Sequence, residues 1–341
     1  MTLDEFREEW NNDCPRLLVH TSGSTGMPKP MWVEKQRMAA SARRTCAFLG
    51  LQPGDNALLC LPLDFIAGKM MAVRAMVCGL NLISVPPDGH PLRHTESESS
   101  CPFSPPIAFA AMTPMQVYNS LQVPCERQRL TAIRHLIIGG GAIDKNVEKE
   151  LRCFPHAVWS TYGMTETLSH IALRRINGPA ANDWYVPFDS VEVGVNDEGC
   201  LIIDAPEVAE QRIVTNDLAE MATDGRHFRI LGRLDNVICS GGIKIQAEEA
   251  ERMLRPHLTQ PFMITSVPDA RLGEAVVLLT EDDDLSGAEN VCRSILPKYW
   301  QPRHYCHSDA LPVTATGKPD RMAARRFALS ATSSAARSSH H

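Results

Sequence analysis

Short apolar runs alternate with amphipathic stretches through the first 160 residues of this chain, and few architectures accept that pattern. Asn56 to Leu61 (NALLCL), Leu82 to Val85 (LISV), IAFAAM at 107 to 112, IRHLIIG at 133 to 139 and HAVWS at 156 to 160 are strand-length. They are apolar at consecutive positions, so they call for burial on both faces. Glu34 to Leu49, Ala67 to Cys78, a stretch from about Pro114 and Asp144 to Cys153 carry helical periodicity between them. Strands alternating with helices predict an α/β fold on a parallel sheet. The segment 86 to 106, rich in Pro, Ser and charge, reads as a surface loop.

From Trp184 the period changes. VEVGV, the turn NDEG and CLIIDA predict a hairpin over 191 to 205, and Asp224-Gly225 marks a second turn before HFRILG. This part is mainly antiparallel. After GRLDN at 232 to 236 the pattern resets to a short strand, a helix from Ala247 to Leu254, strands around MITSV and AVVLL, and a final helix. The expected organisation is a large α/β domain with an antiparallel β subdomain over 1–234, a small α+β domain over 235–329, and a disordered tail over 330–341.

Charge and cysteine usage narrow the function classes. With 34 basic against 40 acidic residues the net charge is −6, which implies no general affinity for nucleic acid or an anionic membrane. No apolar run approaches the ~18 residues of a membrane span, and the acidic opening MTLDEFREEW is unlike a signal peptide. Eleven scattered cysteines without a CxxC fit reduced thiols in a cytoplasm. His304 and His307 (HYCH) lack further ligands at zinc spacing.

One loop is chemically loaded. Residues 20 to 30 read HTSGSTGMPKP, between a strand-like RLLV (16 to 19) and a stretch with helical pattern beyond Met31. Glycines admit close backbone approach, hydroxyls donate hydrogen bonds and Lys29 adds charge, a combination suited to phosphate. A Walker loop is excluded because Lys29 is followed by Pro30, and Gly139-Gly140-Gly141 fails as a dinucleotide fingerprint because position 144 is Asp. YGMTET (162 to 167), TNDL (215 to 218), GRLDNVICSGGIKI (232 to 245) and PVTATGK (312 to 318) each have an ordinary turn or hairpin reading alone.

In this order the five stretches resemble the adenylate-forming, AMP-binding superfamily of acyl- and aryl-CoA ligases, over roughly residues 16 to 325. The resemblance implies ATP, Mg²⁺ and coenzyme A as cofactors and a mobile C-terminal lid domain. It implies that Thr21, Ser22, Gly23, Ser24, Thr25, Gly26 and Lys29 hold the leaving phosphates. Thr165 would donate to the α-phosphate, Glu166 would hold Mg²⁺, and Gly139, Gly140, Gly141, Tyr162 and Gly163 would flank adenine. Asp217 would accept from the ribose, Arg233 would reach the ribose or α-phosphate, and Lys318 would bridge the two reacting anions. Asp235 matches the hinge, and Ser240, Gly241 and Gly242 match the loop that admits the pantetheine arm.

Two departures qualify the resemblance. Only 20 residues precede the phosphate loop, where the family has well over a hundred, so the expectation is a compact enzyme, with a non-catalytic nucleotide-binding remnant as the alternative. In LPLDFIAGK (61 to 69), Phe65 stands where the family places an aromatic or His at the acyl pocket. Lys69 and Arg74 follow on one helix; five apart, at most one is expected to face inward, and Lys69 is the choice for pairing with a second substrate carboxylate, against a reading in which it snorkels to solvent. Among short bacterial members the chain most resembles o-succinylbenzoate–CoA ligases of menaquinone biosynthesis. The partners implied are a small carboxylic acid and CoA, with a carrier-protein thiol as the alternative acceptor and a homodimer kept open.

Overall fold

The computed structural model describes residues 1–20, 30–93, 106–314 and 319–338, the last five as backbone only. The fold is mixed α/β, built on a seven-stranded sheet. Its strands lie in the spatial order Asn81–Ser84, Asn56–Leu59, Phe109–Met112, His135–Ile138, Ala157–Gly163, His170–Arg175 and Val186–Pro187. The first five run parallel and the last two antiparallel to their neighbours. Asn56–Leu59 and Phe109–Met112 are buried at every position, as consecutive apolar residues in a two-sided parallel sheet must be.

Local chemistry fixes where the helices start and stop. Thr113 caps Pro114–Gln122 through a reciprocal pair with Gln116, and Pro114 sits where a missing N–H costs nothing. Pro124 then opens a second helix, Pro124–Thr131, so the helix expected from Pro114 is two. Gly50 and Gly79 end Lys35–Leu49 and Ile66–Cys78 in left-handed conformations. A core of Leu58, Ala110, Met112, Leu136, Ile138 and Val158 lies against these elements.

The loop-and-helix reading beyond Met31 needs correction. Pro30–Glu34 is a strand, paired antiparallel with Arg16–His20 from Arg16↔Glu34 to His20↔Pro30, and the helix begins at Lys35. The glycine-rich segment therefore joins the two strands of a ribbon. Cross-strand pairing decides the conformation of five residues that were too short to show a period of their own.

The chain divides into two compact units, one of Met1–Gly194, Ile202–Ile213 and Met221–Arg229, the other of Val195–Leu201, Val214–Glu220 and Ile230–His341. The division runs across four strands that pair in chain order, Glu192–Val195, Cys200–Asp204, Ile213–Met221 and Phe228–Arg233. The first two form the expected hairpin. Within the second unit, Ile243–Gln246, Val237–Ser240, Gly273–Thr280 and Phe262–Asp269 form a sheet that His304–His307 joins in parallel beside Gly273–Thr280.

The last helix, Arg321–Ser338, continues through most of the stretch expected to be disordered from 330. Ala328 is buried and Ala331 packs on the cluster of Met263, Val267, Val277 and Leu279, so alanines that look merely small in sequence extend the helix along a core. This helix is anchored at its start. Arg321 donates to both oxygens of the buried Glu251, at 2.9 and 2.8 Å, and Glu251 Oε1 also accepts from the Ile264 backbone at 2.9 Å. Arg321→Ala strips a buried carboxylate of its partner and is expected to cost ~3–5 kcal/mol of stability, read by denaturant unfolding. A loss below about 1 kcal/mol would mean that water replaces the guanidinium.

Candidate active site

Ligands of open α/β sheets bind beyond the carboxyl ends of the parallel strands, and two adjacent strands end here in predicted site residues. His135–Ile138 runs into Gly139-Gly140-Gly141. A Cβ on Gly139 would run into the Thr161 hydroxyl of the next strand, and Gly140 has φ +85°. Gly140 and Gly141 are exposed, leaving open backbone at the strand's end. Next to it, Ala157–Gly163 ends in Tyr162, whose ring meets Phe228 edge-on at 5.2 Å and tilts against Tyr185 at 5.9 Å. Those contacts hold the aromatic face in one orientation.

The chain turns back sharply after this strand. A side chain on Gly163 would collide with the backbone of Ser169 and His170. Thr165–Thr167 forms one turn of 3-10 helix, with Thr165 and Thr167 buried and Glu166 exposed. The Thr167 hydroxyl lies 2.8 Å from the Ser169 carbonyl and 3.0 Å from the Met164 amide, closing the turn. Leu168 then takes φ +64°, the one non-glycine residue with positive φ among the described residues, and is buried. A buried leucine in that region is strained and is held there by the packing around it.

Glu166 suits a hard cation as an exposed carboxylate. Among the described residues no group of three or more His, Cys, Asp or Glu side chains converges to hold a metal, so magnesium here would draw its other oxygens from a substrate's phosphates and water. Thr21, Ser22, Gly23, Ser24, Thr25, Gly26 and Lys29, and the catalytic candidate Lys318, lie outside the described residues.

The acid-side candidates sit on the helix Ile66–Cys78. Phe65 is its N-cap residue, half-buried, and Gly68 packs so tightly on Pro62 that no side chain fits. Both Lys69 and Arg74 are buried, which agrees with the inward choice of Lys69 over the snorkelling reading and corrects the expectation that at most one of the two would face inward. Gly68 to Ala75 are buried all round, so residues on opposite faces of this helix are equally enclosed. The Lys69 ammonium lies 3.8 Å from Glu9 and 5.0 Å over the Phe6 ring, both on the helix Leu3–Asn11. Arg74 has no such partner. Its Nη2 donates to Ser169 Oγ at 2.6 Å, Nη1 meets Met71 Sδ at 3.7 Å, and the guanidinium lies 5.9 Å over the Phe109 ring. Nε has no acceptor and no carboxylate pairs with Arg74 among the described residues. Burial pushes its pKa down to about 10, and Arg44 pushes the same way.

His170, which no sequence motif singled out, is buried beside it. Its Nε2 lies 3.1 Å from Thr45 Oγ1 and its Nδ1 3.3 Å from Ser169 Oγ. Burial holds its pKa well below 6.5, and Arg74 and Arg44 add to the effect.

In the second unit, Arg233 forks between Asp217 at 3.0 Å and Asp235 at 2.8 Å, and Asn216 also donates to Asp235 at 3.1 Å. Asp235 sits in the 3-10 turn Leu234–Asn236. Ser240 is buried at the end of Val237–Ser240, and Gly241 (φ +57°) and Gly242 (φ +80°) form the two-residue loop to Ile243. Two successive positive φ values are what a tight hairpin of this twist requires, which accounts for both glycines structurally.

The protonation of His170 has a measurable consequence. The unfolded chain takes a proton at this histidine near pH 6.5, whereas the fold refuses it until well below that value. Stability should therefore fall as pH drops below about 7, by up to ~1.4 kcal/mol per pH unit for this group. His135, also lowered by burial first, adds the same sign. Denaturant unfolding from pH 7.5 to 5 should give a shallower slope in His170→Gln; an identical slope would show that His170 titrates freely in the fold.

Comparison with known proteins places these features in a family. The model of the AMP-binding enzyme family matches residues 4–208. A 2-succinylbenzoate–CoA ligase from Salmonella typhimurium is 29% identical over 313 residues, 84% of this chain and 64% of that protein. Its counterpart from Enterococcus faecalis is 25% identical over 352 residues, 93% of this chain and 70% of the relative. The chain thus spans about two thirds of the length of these curated relatives. The crystal structure of an acyl-CoA synthetase (AMP-forming)/AMP-acid ligase II-like protein from Dyadobacter fermentans is 34% identical, covers 94% of this chain and 91% of its own, and superposes with a TM-score of 0.61. An o-succinylbenzoate coenzyme A synthetase from Bacillus subtilis, solved with ATP and magnesium, shares the fold at 22% identity and a TM-score of 0.72, over 89% of this chain and 68% of its own. The chain belongs to the AMP-binding enzyme family.

Proposed function

We propose that this chain carries the chemistry of an AMP-forming acid–CoA ligase whose acid bears a second carboxylate, o-succinylbenzoate being the acid of choice. Arg74 is the observation that carries the diacid reading. A guanidinium buried without an anion costs several kcal/mol, and a site that keeps one is suited to an anion that arrives with the substrate. Lys69 is the weaker choice because Glu9 already faces it. The curated relatives named 2-succinylbenzoate–CoA ligases support the same class, since that acid has one carboxylate to activate and another to bind.

In the first half-reaction a carboxylate oxygen of the acid attacks the α-phosphorus of ATP and pyrophosphate leaves. Anions are brought together, so the protein's work is positioning and charge neutralisation. Lys29 and the hydroxyls of 21 to 25 are assigned to the leaving phosphates, Thr165 to the α-phosphate and Lys318 to the charge shared by the two reacting groups. Magnesium, when bound, withdraws charge from the phosphates, and Glu166 is the carboxylate assigned to it. Tyr162 and Gly139 to Gly141 are assigned to adenine, and Asp217 to the ribose hydroxyls beside Arg233. In the second half-reaction the CoA thiol displaces AMP, with Ser240 to Gly242 assigned to the pantetheine arm and Asp235 to the hinge.

Pyrophosphate release measured over a panel of acids, with and without CoA, tests the reading. Release should depend on the acid and be largest with o-succinylbenzoate, and thioester should form only with CoA; no acid-dependent release at all would leave a nucleotide-binding module. Lys318→Ala should slow adenylation by about 10²–10³ while sparing thioester formation from preformed adenylate. Arg74→Met should cost ~2–4 kcal/mol in kcat/KM for o-succinylbenzoate and far less for benzoylpropionate, which lacks the ring carboxylate. Parallel losses for the two acids would remove Arg74 from the acid site.

A further inference from the structure

Arg74 is reached by a chain of hydrogen bonds that has only one consistent direction. A guanidinium can only donate, so Ser169 Oγ accepts from Arg74 Nη2 at 2.6 Å. The Ser169 hydroxyl proton then points to His170 Nδ1 at 3.3 Å. With Nδ1 accepting, Nε2 carries the ring proton and gives it to Thr45 Oγ1 at 3.1 Å, and Thr45 in turn donates to the Ser41 carbonyl at 3.1 Å. The opposite tautomer has Nδ1–H donating to Ser169 and leaves the serine's own proton without an acceptor among the described residues. A protonated imidazole would do the same and would set a third cation beside Arg74 and Arg44.

The chain ends on rigid structure at both sides. Ser41 and Thr45 are one turn apart on the helix Lys35–Leu49, both buried, and Arg74 rises from the neighbouring helix. His170 is wedged against Phe188 at 5.7 Å and opens the first antiparallel strand after the Thr165–Thr167 turn. The charged groups near it are Arg74 and Arg44, both cations, and no carboxylate faces it among the described residues. The ring is thus a neutral connector whose two nitrogens are both spoken for.

We infer that His170, acting through Ser169 and braced by Thr45, is a positioning residue that sets the direction of the Arg74 guanidinium and so the enzyme's preference for an acid with a second carboxylate. This inference rests on the assignment of Arg74 to that carboxylate. A serine hydroxyl committed to His170 offers Arg74 a lone pair in one direction only, which fixes Nη2, while Nη1 rests on Met71 Sδ and Nε, without an acceptor among the described residues, is left for the anion. Without the imidazole the hydroxyl rotates, and the guanidinium loses its stop.

Specificity constants for o-succinylbenzoate and benzoylpropionate test it in the full chain. In Ser169→Ala and in His170→Leu the diacid-to-monoacid ratio should fall about 10- to 100-fold, the scale of a misplacement near 1 Å, and through KM of the diacid rather than kcat. The double variant should be no worse than either single one, because both break one chain. His170→Asn, which returns an acceptor to Ser169, should recover part of the ratio and separates positioning from packing. Arg74→Met is the control. If it abolishes the ratio while His170→Leu and Ser169→Ala leave the ratio intact, the positioning inference is wrong and the Arg74 assignment stands. If Arg74→Met leaves the ratio intact, the assignment itself falls. Should His170→Leu not fold, the ¹⁵N spectrum of wild-type His170 decides: a neutral ring with the proton on Nε2 is expected, and a proton on Nδ1 overturns the chain.

Discussion

Arg74 is fully buried and, among the described residues, has no carboxylate to pair with. Three other enclosed cations among the described residues are matched by carboxylates. Lys69 faces Glu9, Arg174 meets both oxygens of Glu148 at 3.0 and 2.8 Å, and Arg321 meets both of Glu251. The Glu148 carboxyl is held below its usual range chiefly by its bond to Arg174. Arg74 instead meets a thioether, an aromatic face and a hydroxyl. Those contacts keep a guanidinium buried without neutralising it, which is the basis for the proposal that its anion arrives with the substrate.

Chain reversal is what brings the residues proposed for the adenylate and those around Arg74 close in sequence within the first unit. The parallel strand Ala157–Gly163 delivers Tyr162 and Gly163 to the sheet's carboxyl edge, and a strained turn through Thr165 and Leu168 sends the chain back antiparallel. Ser169 and His170, which opens the returning strand, lie at Arg74. The nine residues Tyr162 to His170 therefore carry the groups proposed for adenine, magnesium and the α-phosphate together with the contacts to Arg74. Gly163 is indispensable to that economy of chain, because any side chain there collides with the returning backbone.

Much of this was legible in the sequence, for identifiable reasons. The parallel strands showed as consecutive apolar residues, and the helix boundaries at Gly50 and Gly79 followed from residues whose conformational preferences are local. The five motifs showed because each sets particular residue types in close spacing, and their order matches the family. What stayed hidden depends on residues far apart in the chain. Pro30–Glu34 is a strand through its pairing with Arg16–His20, and the helix beyond 330 persists through packing on another sheet. The choice between Lys69 and Arg74 could not be made on one helix, because it is decided by Glu9, 60 residues before Lys69, and by Ser169, 95 residues after Arg74. His170 gave no signal beyond an apolar run in SHIALRR, where a histidine reads as an ordinary core residue.

On the proposed assignment of Arg74 to a second substrate carboxylate, the chemistry of position 170 favours a histidine over an acid. A carboxylate behind Ser169 would hold the hydroxyl as firmly, and it would also neutralise Arg74 through one intervening oxygen. The cation would then be satisfied before any substrate arrived, and a second substrate carboxylate would enter as a competing like charge. An aliphatic residue would preserve the charge and lose the direction. A neutral imidazole accepts from the serine on one nitrogen, donates to Thr45 on the other and adds no charge between them. Burial beside two arginines keeps it neutral, so the cation that needs orienting also protects the group that orients it.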